Sequence, residues 1–169
     1  LRCSRLLGGL GHQHLRHLRL SRLGDLLHGH DGFWNQRDFA LLHGLRQAGH
    51  QVVAVTSGAI AAGLPAIGLG GDLRPTDPIT LQAVSAIGQS RLMRVYDECF
   101  ADHGLVAGQV LLAPLDFGIR QQYLHARGTI RRLLELGVVP VINENDAIAD
   151  DEIRFGDNDR LSALVAHLL

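Results

Sequence analysis

The sequence predicts an α/β protein built around a mainly parallel sheet. Short β-branched runs, such as the one at 51–56, alternate with longer segments whose apolar residues recur at helical spacing. The strand runs are apolar at consecutive positions, which is typical of strands that helices cover on both faces. This alternation indicates parallel strands joined by helical connections. Because such sheets bind ligands beyond the carboxyl ends of their strands, the residues that follow each strand are the first candidates for function.

Composition limits the function classes before any motif is considered. The chain has 169 residues, 46% of them hydrophobic and 20% charged, with a formal net charge of -1. These values exclude a disordered chain and give no support for a partner that is nucleic acid or a membrane. No apolar run approaches the roughly 18–20 residues that a membrane-spanning helix needs. Two cysteines are too few for a disulfide framework or a zinc site, so a cytoplasmic location is expected.

The first predicted elements follow one another from Asp38. Residues 38–48 carry apolar side chains at helical spacing, and Gly49 is typical of the position just past a helix end. Residues 51–56 form a β-branched strand, and 57–63 turn out of it into a second helix. A loop rich in glycine and proline covers 65–78. A long helix over 79–102 comes next, ended by His103 and Gly104.

The second half of the chain repeats the alternation. Residues 105–113 are expected as a strand, 122–136 as a helix closed by Gly137, and 138–143 as a third strand. The polar stretch 144–159 is expected as a loop with a hairpin, and the last helix as beginning near Arg160. No stop signal precedes Leu169, which predicts that this helix is cut off.

Residues 1–37 differ from the rest in composition. They include six arginines and five histidines but only two acidic residues, Asp25 and Asp31. The leucines between them keep neither a period of 2 nor one of 3.6, and a short helix around 15–27 is the element considered there. We therefore divide the chain into an irregular segment, 1–37, and one domain, 38–169.

The first candidate site follows the strand at 51–56. Ser57 and Gly58 lie where this strand enters a helix, so free backbone N–H groups and the positive helix end favour an anion. Gly58 would let a ligand approach the backbone closely. The alternative is that Ser57 is an ordinary N-cap residue.

The second candidate site follows the apolar run at 138–142. The sequence continues with Asn-Glu-Asn-Asp at 143–146 and, further on, Gly-Asp-Asn-Asp at 156–159. Seven carboxylates lie from Glu144 to Asp159, with Arg154 as the one basic residue. Because packed carboxylates repel one another, this stretch indicates binding of a cation, an ammonium group or a metal–nucleotide. A solvated acidic loop with an N-cap aspartate is the alternative. The spacing does not match an EF-hand, and no protein metal site is predicted.

Five stretches resemble the glutamate 5-kinase family in their order and spacing. They are Val-Thr-Ser-Gly-Ala-Ile-Ala-Ala-Gly at 55–63, Gly-Gln-Ser-Arg-Leu-Met at 88–93, Gly-Gln-Val-Leu-Leu at 108–112, Val-Pro-Val-Ile-Asn-Glu-Asn-Asp at 139–146 and Gly-Asp-Asn-Asp-Arg-Leu-Ser-Ala-Leu at 156–164. The resemblance covers about residues 38–169. It implies the amino-acid kinase fold, a three-layer α/β/α sandwich. It also implies transfer of a phosphoryl group from ATP, with Mg²⁺, to the side-chain carboxylate of L-glutamate, the first step of proline biosynthesis.

Carried over residue by residue, the resemblance implies that Ser57, Asp146 and Asn158 contact glutamate. Ser57 and the backbone beside it would donate to a carboxylate, Asp146 would pair with the α-ammonium group, and Asn158 would donate its amide to a carboxylate oxygen. Asp159 matches the family's catalytic-site aspartate, which organises catalytic lysines. A γ-carboxylate is already ionised near pH 7, so catalysis needs no general base. The supporting positions are Gly58, Asn143, Asn145 and Gly156.

The chain departs from the family in the regions that handle phosphate. Residues 14–23 stand where the family has a strand and a Lys-Gly-Thr/Ser-Ser motif, and the nucleotide half, with a second lysine, is expected beyond Leu169. All 16 lysine and arginine residues here are arginine, which does not replace a compact ammonium charge. No ATP-binding residue is therefore identified, and the fold is predicted to be truncated after its substrate-binding half. We interpret 1–37 as a misread or shifted translation of an arginine-rich, GC-rich coding region.

Three hypotheses follow. The first is a partial glutamate 5-kinase that is inactive as written. The second is another amino-acid kinase, such as an acetylglutamate or aspartate kinase, against which the motifs at 55–59 and 143–146 argue. The third is a non-catalytic protein that binds glutamate. The resemblance further implies a homo-oligomer and feedback inhibition by proline.

Overall fold

A parallel sheet lies at the centre of the structure, a computed structural model that describes residues 15–20, 36–69, 73–148 and 158–169. Its strands are β1 (Leu15–Leu20), β2 (Gln51–Thr56), β3 (Ala107–Leu112) and β4 (Val139–Glu144). They lie in the order β1-β2-β4-β3, and each neighbouring pair is parallel. The predicted parallel sheet is confirmed.

Helices join these strands, with ends set by local sequence. Asp77 is the N-cap residue of α3, and its side chain accepts a hydrogen bond from the Thr80 N–H at 2.8 Å. Gly49 and Gly137 have positive φ angles just past α1 and α5, as predicted for residues that end a helix. None of the described helices is long and apolar enough to cross a membrane. The helices are α1 (Gln36–Gln47), α2 (Ala59–Gly63), α3 (Pro78–Ala101), α4 (Pro114–Gly118), α5 (Arg120–Glu135) and α6 (Asn158–Leu168), with 3-10 turns at Leu64–Ile67 and Asp146–Ile148.

The helices cover both faces of the sheet. Side chains alternate along β2, so that Val52 and Ala54 pack with α1, α2 and α3, whereas Val53 and Val55 pack with α5 and α6. Burial on both faces explains why β2 shows no polar alternation. The result is the three-layer α/β/α sandwich that the resemblance implies. The large buried side chains of the two layers are Leu42, Leu92, Tyr96 and Phe100 on one face and Ile130, Leu134, Leu161 and Val165 on the other.

β1 is the main difference from the sequence prediction. Residues 15–20 do not form the helix considered at 15–27 but pair with all of β2, from Leu15 opposite Gln51 to Leu20 opposite Thr56. That prediction was wrong here because pairing along an open strand edge uses backbone groups and requires no side-chain periodicity. Residues 21–27 lie outside the described part of the chain. β1 falls where the resemblance expects the family's first strand.

Smaller differences concern single elements. The short helix α4 has no counterpart in the prediction, and β3 is shorter than the expected 105–113. In the predicted loop and hairpin at 144–159, residues Asp146–Ile148 form a 3-10 turn, and 149–157 are outside the described residues. The division of the chain at residue 37 stays a prediction.

Candidate functional site

The strand order brings the two candidate strand ends to one place. β2 and β4 are neighbours, with Ala54 opposite Val141 and Val55 opposite Ile142. Because the strands are parallel, the residues that follow them emerge at the same edge of the sheet. Extending the register by two positions brings Ser57 level with Glu144. The segments at 57–58 and 145–146 therefore lie next to each other at one edge of the sheet.

The turn after β2 is built around Gly58. Its φ of 109° is left-handed, and it caps α2 without any side-chain hydrogen bond. The alternative that Ser57 is an ordinary N-cap residue is therefore wrong. The Ser57 carbonyl accepts a hydrogen bond from Thr56 Oγ1 at 3.2 Å, while its own hydroxyl bonds to no group in the described part of the chain. α2 has five residues, so its dipole adds little, and the turn offers mainly this hydroxyl and the first backbone N–H groups.

Asp146 lies directly beyond β4, and helix α3 holds its side chain. Ser85 Oγ donates to Asp146 Oδ2 at 2.9 Å. Ser85 is 1% exposed, and Asp146 is half-buried. Burial raises the pKa of Asp146 above its ordinary value, and the Ser85 hydrogen bond opposes that rise. A carboxylate that has lost part of its hydration favours a cationic partner, such as the ammonium group of a ligand.

The backbone after β4 is held as well. Gln89, one helical turn beyond Ser85, donates from Nε2 to the carbonyl oxygen of Glu144 at 3.3 Å. Gln89 Oε1 accepts a hydrogen bond from Gln109 Nε2 at 3.1 Å, which ties α3 to β3. The N–H of Asn145 donates to the carbonyl of Leu112 at 2.9 Å. The chain leading into Asp146 is thus fixed from two neighbouring elements.

The same helix also contacts the end of β2. A Cβ atom added to Gly88 would lie 1.6 Å from the carbonyl oxygen of Ala59, so α2 and α3 touch through their backbones. Gly63 makes the reciprocal approach, with a built Cβ 2.1 Å from the carbonyl oxygen of Val84. Further along α3, Tyr96 packs in the same core as Ala54 of β2, and burial raises the pKa of its hydroxyl. α3 is therefore the element that positions both strand ends.

The structure places the predicted residues as follows. Asn143 is 3% exposed, and its Nδ2 atom has no hydrogen-bond partner among the described residues. By strand alternation Asn143 shares the sheet face of Val141, the face that α3 covers. Asn158 and Asp159 form the start of α6, but their side chains and Gly156 lie outside the described residues. The residues that the structure brings to one edge are Ser57, Gly58, Asn143, Asn145 and Asp146.

Sequence reasoning missed the groups on α3 and β3 that hold this site. Gln89 and Gln109 each follow a glycine within two of the five motifs, and this repeated Gly-Gln pair is a signal that could have marked them. Ser85 carries no such signal, because a serine inside a helix has no distinctive pattern around it.

The described residues do not fit the phosphates of ATP with Mg²⁺. Several of their arginine side chains bond to other groups of the protein: Arg46 donates to the Gly137 carbonyl, Arg131 donates to the Leu169 carbonyl, Arg94 pairs with Glu98, and Arg132 pairs with Glu135. The chain has no lysine. Among the residues described, no group of three or more His, Cys, Asp or Glu side chains could hold a metal ion.

Comparison with known proteins identifies the class to which this fold and site belong. A model of the amino acid kinase family matches residues 37–169. The chain belongs to the amino acid kinase family. A solved structure, carbamate kinase from Giardia lamblia bound to AMP-PNP, matches 91% of this chain and 70% of its own with a TM-score of 0.54. At 13% sequence identity this likeness concerns the fold alone.

Within the family, the chain is similar to glutamate 5-kinases. It is 52% identical to the glutamate 5-kinase of Methylobacillus flagellatus over 125 residues, or 74% of this chain and 33% of the relative. The enzyme of Aromatoleum aromaticum is 54% identical over the same shares. That of Burkholderia mallei is 52% identical over 130 residues, 77% of this chain and 34% of the relative. The chain thus spans about a third of the length of the curated relatives it matches.

Proposed function

We propose that this chain is the amino-acid-binding part of a glutamate 5-kinase, which phosphorylates the side-chain carboxylate of L-glutamate. The observation that carries the proposal is the half-buried Asp146 carboxylate, bonded by Ser85 at 2.9 Å, at the same sheet edge as Ser57. A carboxylate for the ammonium group and a hydroxyl for a carboxylate suit a free amino acid. Identities of 52% and 54% to proteins named glutamate 5-kinase favour this over an acetylglutamate or aspartate kinase.

In the proposed reaction these residues bind and orient. Asp146 accepts the α-ammonium group, while Ser57 and the N–H groups after Gly58 donate to a carboxylate. ATP with Mg²⁺ supplies the phosphoryl group, and the products are L-glutamyl 5-phosphate and ADP. The γ-carboxylate is already ionised near neutral pH, so this chain needs no general base and contributes by positioning. The resemblance assigns Asn158 to a glutamate carboxylate and Asp159 to the organisation of catalytic lysines, and both stay proposals.

Further properties of the whole enzyme are proposals from the resemblance. They are a cytoplasmic location, a homo-oligomer and feedback inhibition by proline. Because the chain has no lysine, and arginine does not replace a compact ammonium charge, we expect it to bind glutamate without turning it over.

Calorimetry with L-glutamate tests the binding proposal. Asp146→Asn should weaken glutamate binding about 10- to 100-fold, because a hydrogen bond between two charged groups contributes about 1.5–3 kcal/mol. Asp97→Asn, which removes an exposed carboxylate elsewhere in the domain, is the matched control and should leave the Kd unchanged. N-acetyl-L-glutamate, which lacks the ammonium group, should bind more weakly than glutamate. Equal affinity in Asp146→Asn, or preference for the acetylated ligand, would contradict the proposal.

A hydroxamate assay with ATP tests turnover separately. The expected result is no acyl phosphate from the pure chain. ATP-dependent hydroxamate would show that the phosphate-handling groups are present in these 169 residues after all.

A further inference from the structure

We propose that Ser85 is a positioning residue of the glutamate site, which holds the Asp146 carboxylate in the orientation that receives the ammonium group of the substrate. The inference rests on the proposed function, because it assigns to Ser85 a role in binding the same ligand.

The hydrogen bond from Ser85 is directed by the packing of α3. A serine inside a helix commonly returns its hydroxyl to a carbonyl of its own helix. Ser85 instead donates to Asp146, which is 61 positions away in the sequence. This bond occupies Oδ2, and no other hydrogen bond within the described residues involves the Asp146 side chain. Oδ1 is therefore the acceptor left for a ligand.

The position of Ser85 is itself constrained. Its neighbour Val84 lies against Gly63, and Gly88 one turn later lies against Ala59, at distances that leave no room for a Cβ atom on either glycine. Gln89 fixes the Glu144 carbonyl at 3.3 Å, two residues before Asp146. The Asp146 carboxylate is thus held through its own side chain and through the backbone that leads to it. Such fixing lowers the ordering cost of ligand binding.

The hydrogen bond also favours the charged form of Asp146. Burial raises the pKa of this carboxyl group, and the Ser85 hydroxyl is the group that opposes the rise. Without Ser85, the fraction of Asp146 that is ionised in mildly acidic solution would fall. A ligand ammonium group would then meet a neutral acid more often.

Ser85→Ala tests the assignment, with Ser90→Ala as the matched control. Ser90 lies on the same helix but is exposed and bonds to the Ile87 carbonyl at 3.2 Å. Two quantities are measured on the 169-residue chain: the pKa of Asp146 by carboxyl ¹³C NMR, and the Kd for L-glutamate by calorimetry as a function of pH. We expect Ser85→Ala to raise the pKa of Asp146, to weaken glutamate binding about tenfold, and to shift the acid limb of binding to higher pH. Ser90→Ala should change none of these.

The outcomes separate the two proposals. A lower melting temperature with an unchanged Asp146 pKa would make Ser85 merely structural and overturn the assignment. A raised pKa with unchanged affinity would equally overturn a positioning role. Failure of the parent chain to bind glutamate would overturn the proposed function, and with it the assignment to glutamate, even where the pKa change shows that Ser85 controls Asp146.

Discussion

Gly88 is the position where one added methyl group tests how the site is built. A Cβ atom there would lie 1.6 Å from the carbonyl oxygen of Ala59 and 2.6 Å from its carbonyl carbon, whereas real Cβ atoms essentially never come within 3.0 Å. Both obstructing atoms are backbone, so no change of rotamer can relieve the clash. In Gly88→Ala, α2 and α3 must separate by more than an ångström.

The expected cost follows from two opposing effects. Overpacking a filled interior costs about 1–3 kcal/mol, and a clash with backbone belongs at the upper end of that range. Replacing glycine by alanine within a helix returns about 1 kcal/mol. A net loss of about 2 kcal/mol lowers the melting temperature by about 4–8 °C in a chain of this size. Because α2 directly follows Ser57 and Gly58, the affinity for glutamate should fall together with the melting temperature.

Thermal unfolding followed by circular dichroism, with and without glutamate, measures both effects. Gly128→Ala is the matched control, because Gly128 lies in the middle of α5 and a Cβ atom there would meet nothing within 4 Å. The same substitution should stabilise the protein by about 1 kcal/mol at that position. If Gly88→Ala melted at or above the parent temperature and bound glutamate equally well, the α2–α3 contact would not set the site and this reasoning would be refuted.

The carboxyl groups of Asp146 and Asp77 should give opposite pH dependences of the stability. Because burial raises the pKa of Asp146, its contribution to stability is present below the ordinary pKa of about 3.9 and lost as the pH rises through the raised pKa. Asp146→Asn should therefore melt above the parent at pH 7 and lose this advantage in acid. A higher melting temperature that persists unchanged in acid would contradict the link between the pKa of Asp146 and stability. Hydrogen bonds from Thr80 lower the pKa of Asp77, so its contribution is present at neutral pH and lost as the pH falls through the lowered pKa. Asp77→Ala should melt further below the parent at pH 7 than in strong acid, and a deficit that is independent of pH would argue against a cap that depends on the charge of Asp77.

Local signals predicted most elements of the fold. The apolar runs of β2 and β4 and the glycines that end α1 and α5 depend on residues close in sequence, and the structure confirms these elements. The strand order could not be predicted in the same way. β2 and β4 become neighbours because of how the helices that lie between them in sequence pack against the sheet. β1 escaped prediction because an edge strand is held by backbone pairing with β2.

The residues of the candidate site differ in the same way in how well the sequence predicts them. Ser57 and Asp146 follow strands, and residues at strand ends can be recognised from the sequence once the strands are located. Ser85 and Gln89 act through contacts to residues 61 and 55 positions away. The Gly-Gln pair could have marked Gln89 as a candidate, but nothing near either residue in the sequence identifies its partner, which is known only when α3 is placed against β4.

The backbone contact of Gly88 with Ala59 and the hydrogen bonds from Ser85 and Gln89 depend on the same placement of α3. Gly88 lies between Ser85 and Gln89 on the same two turns, so anything that pushes α3 away from α2 also moves both polar side chains. A shift of about one ångström directed away from β4 would stretch the Ser85–Asp146 bond of 2.9 Å beyond the usual limit of about 3.2 Å for a good hydrogen bond, and it would break the longer Gln89–Glu144 bond of 3.3 Å. Gly88→Ala should therefore raise the pKa of Asp146 in the same direction as Ser85→Ala, although it removes no polar group. An unchanged Asp146 pKa in Gly88→Ala would mean that α2 moves and α3 stays in place. The α2–α3 contact would then be independent of the hydrogen bonds that α3 makes at the end of β4.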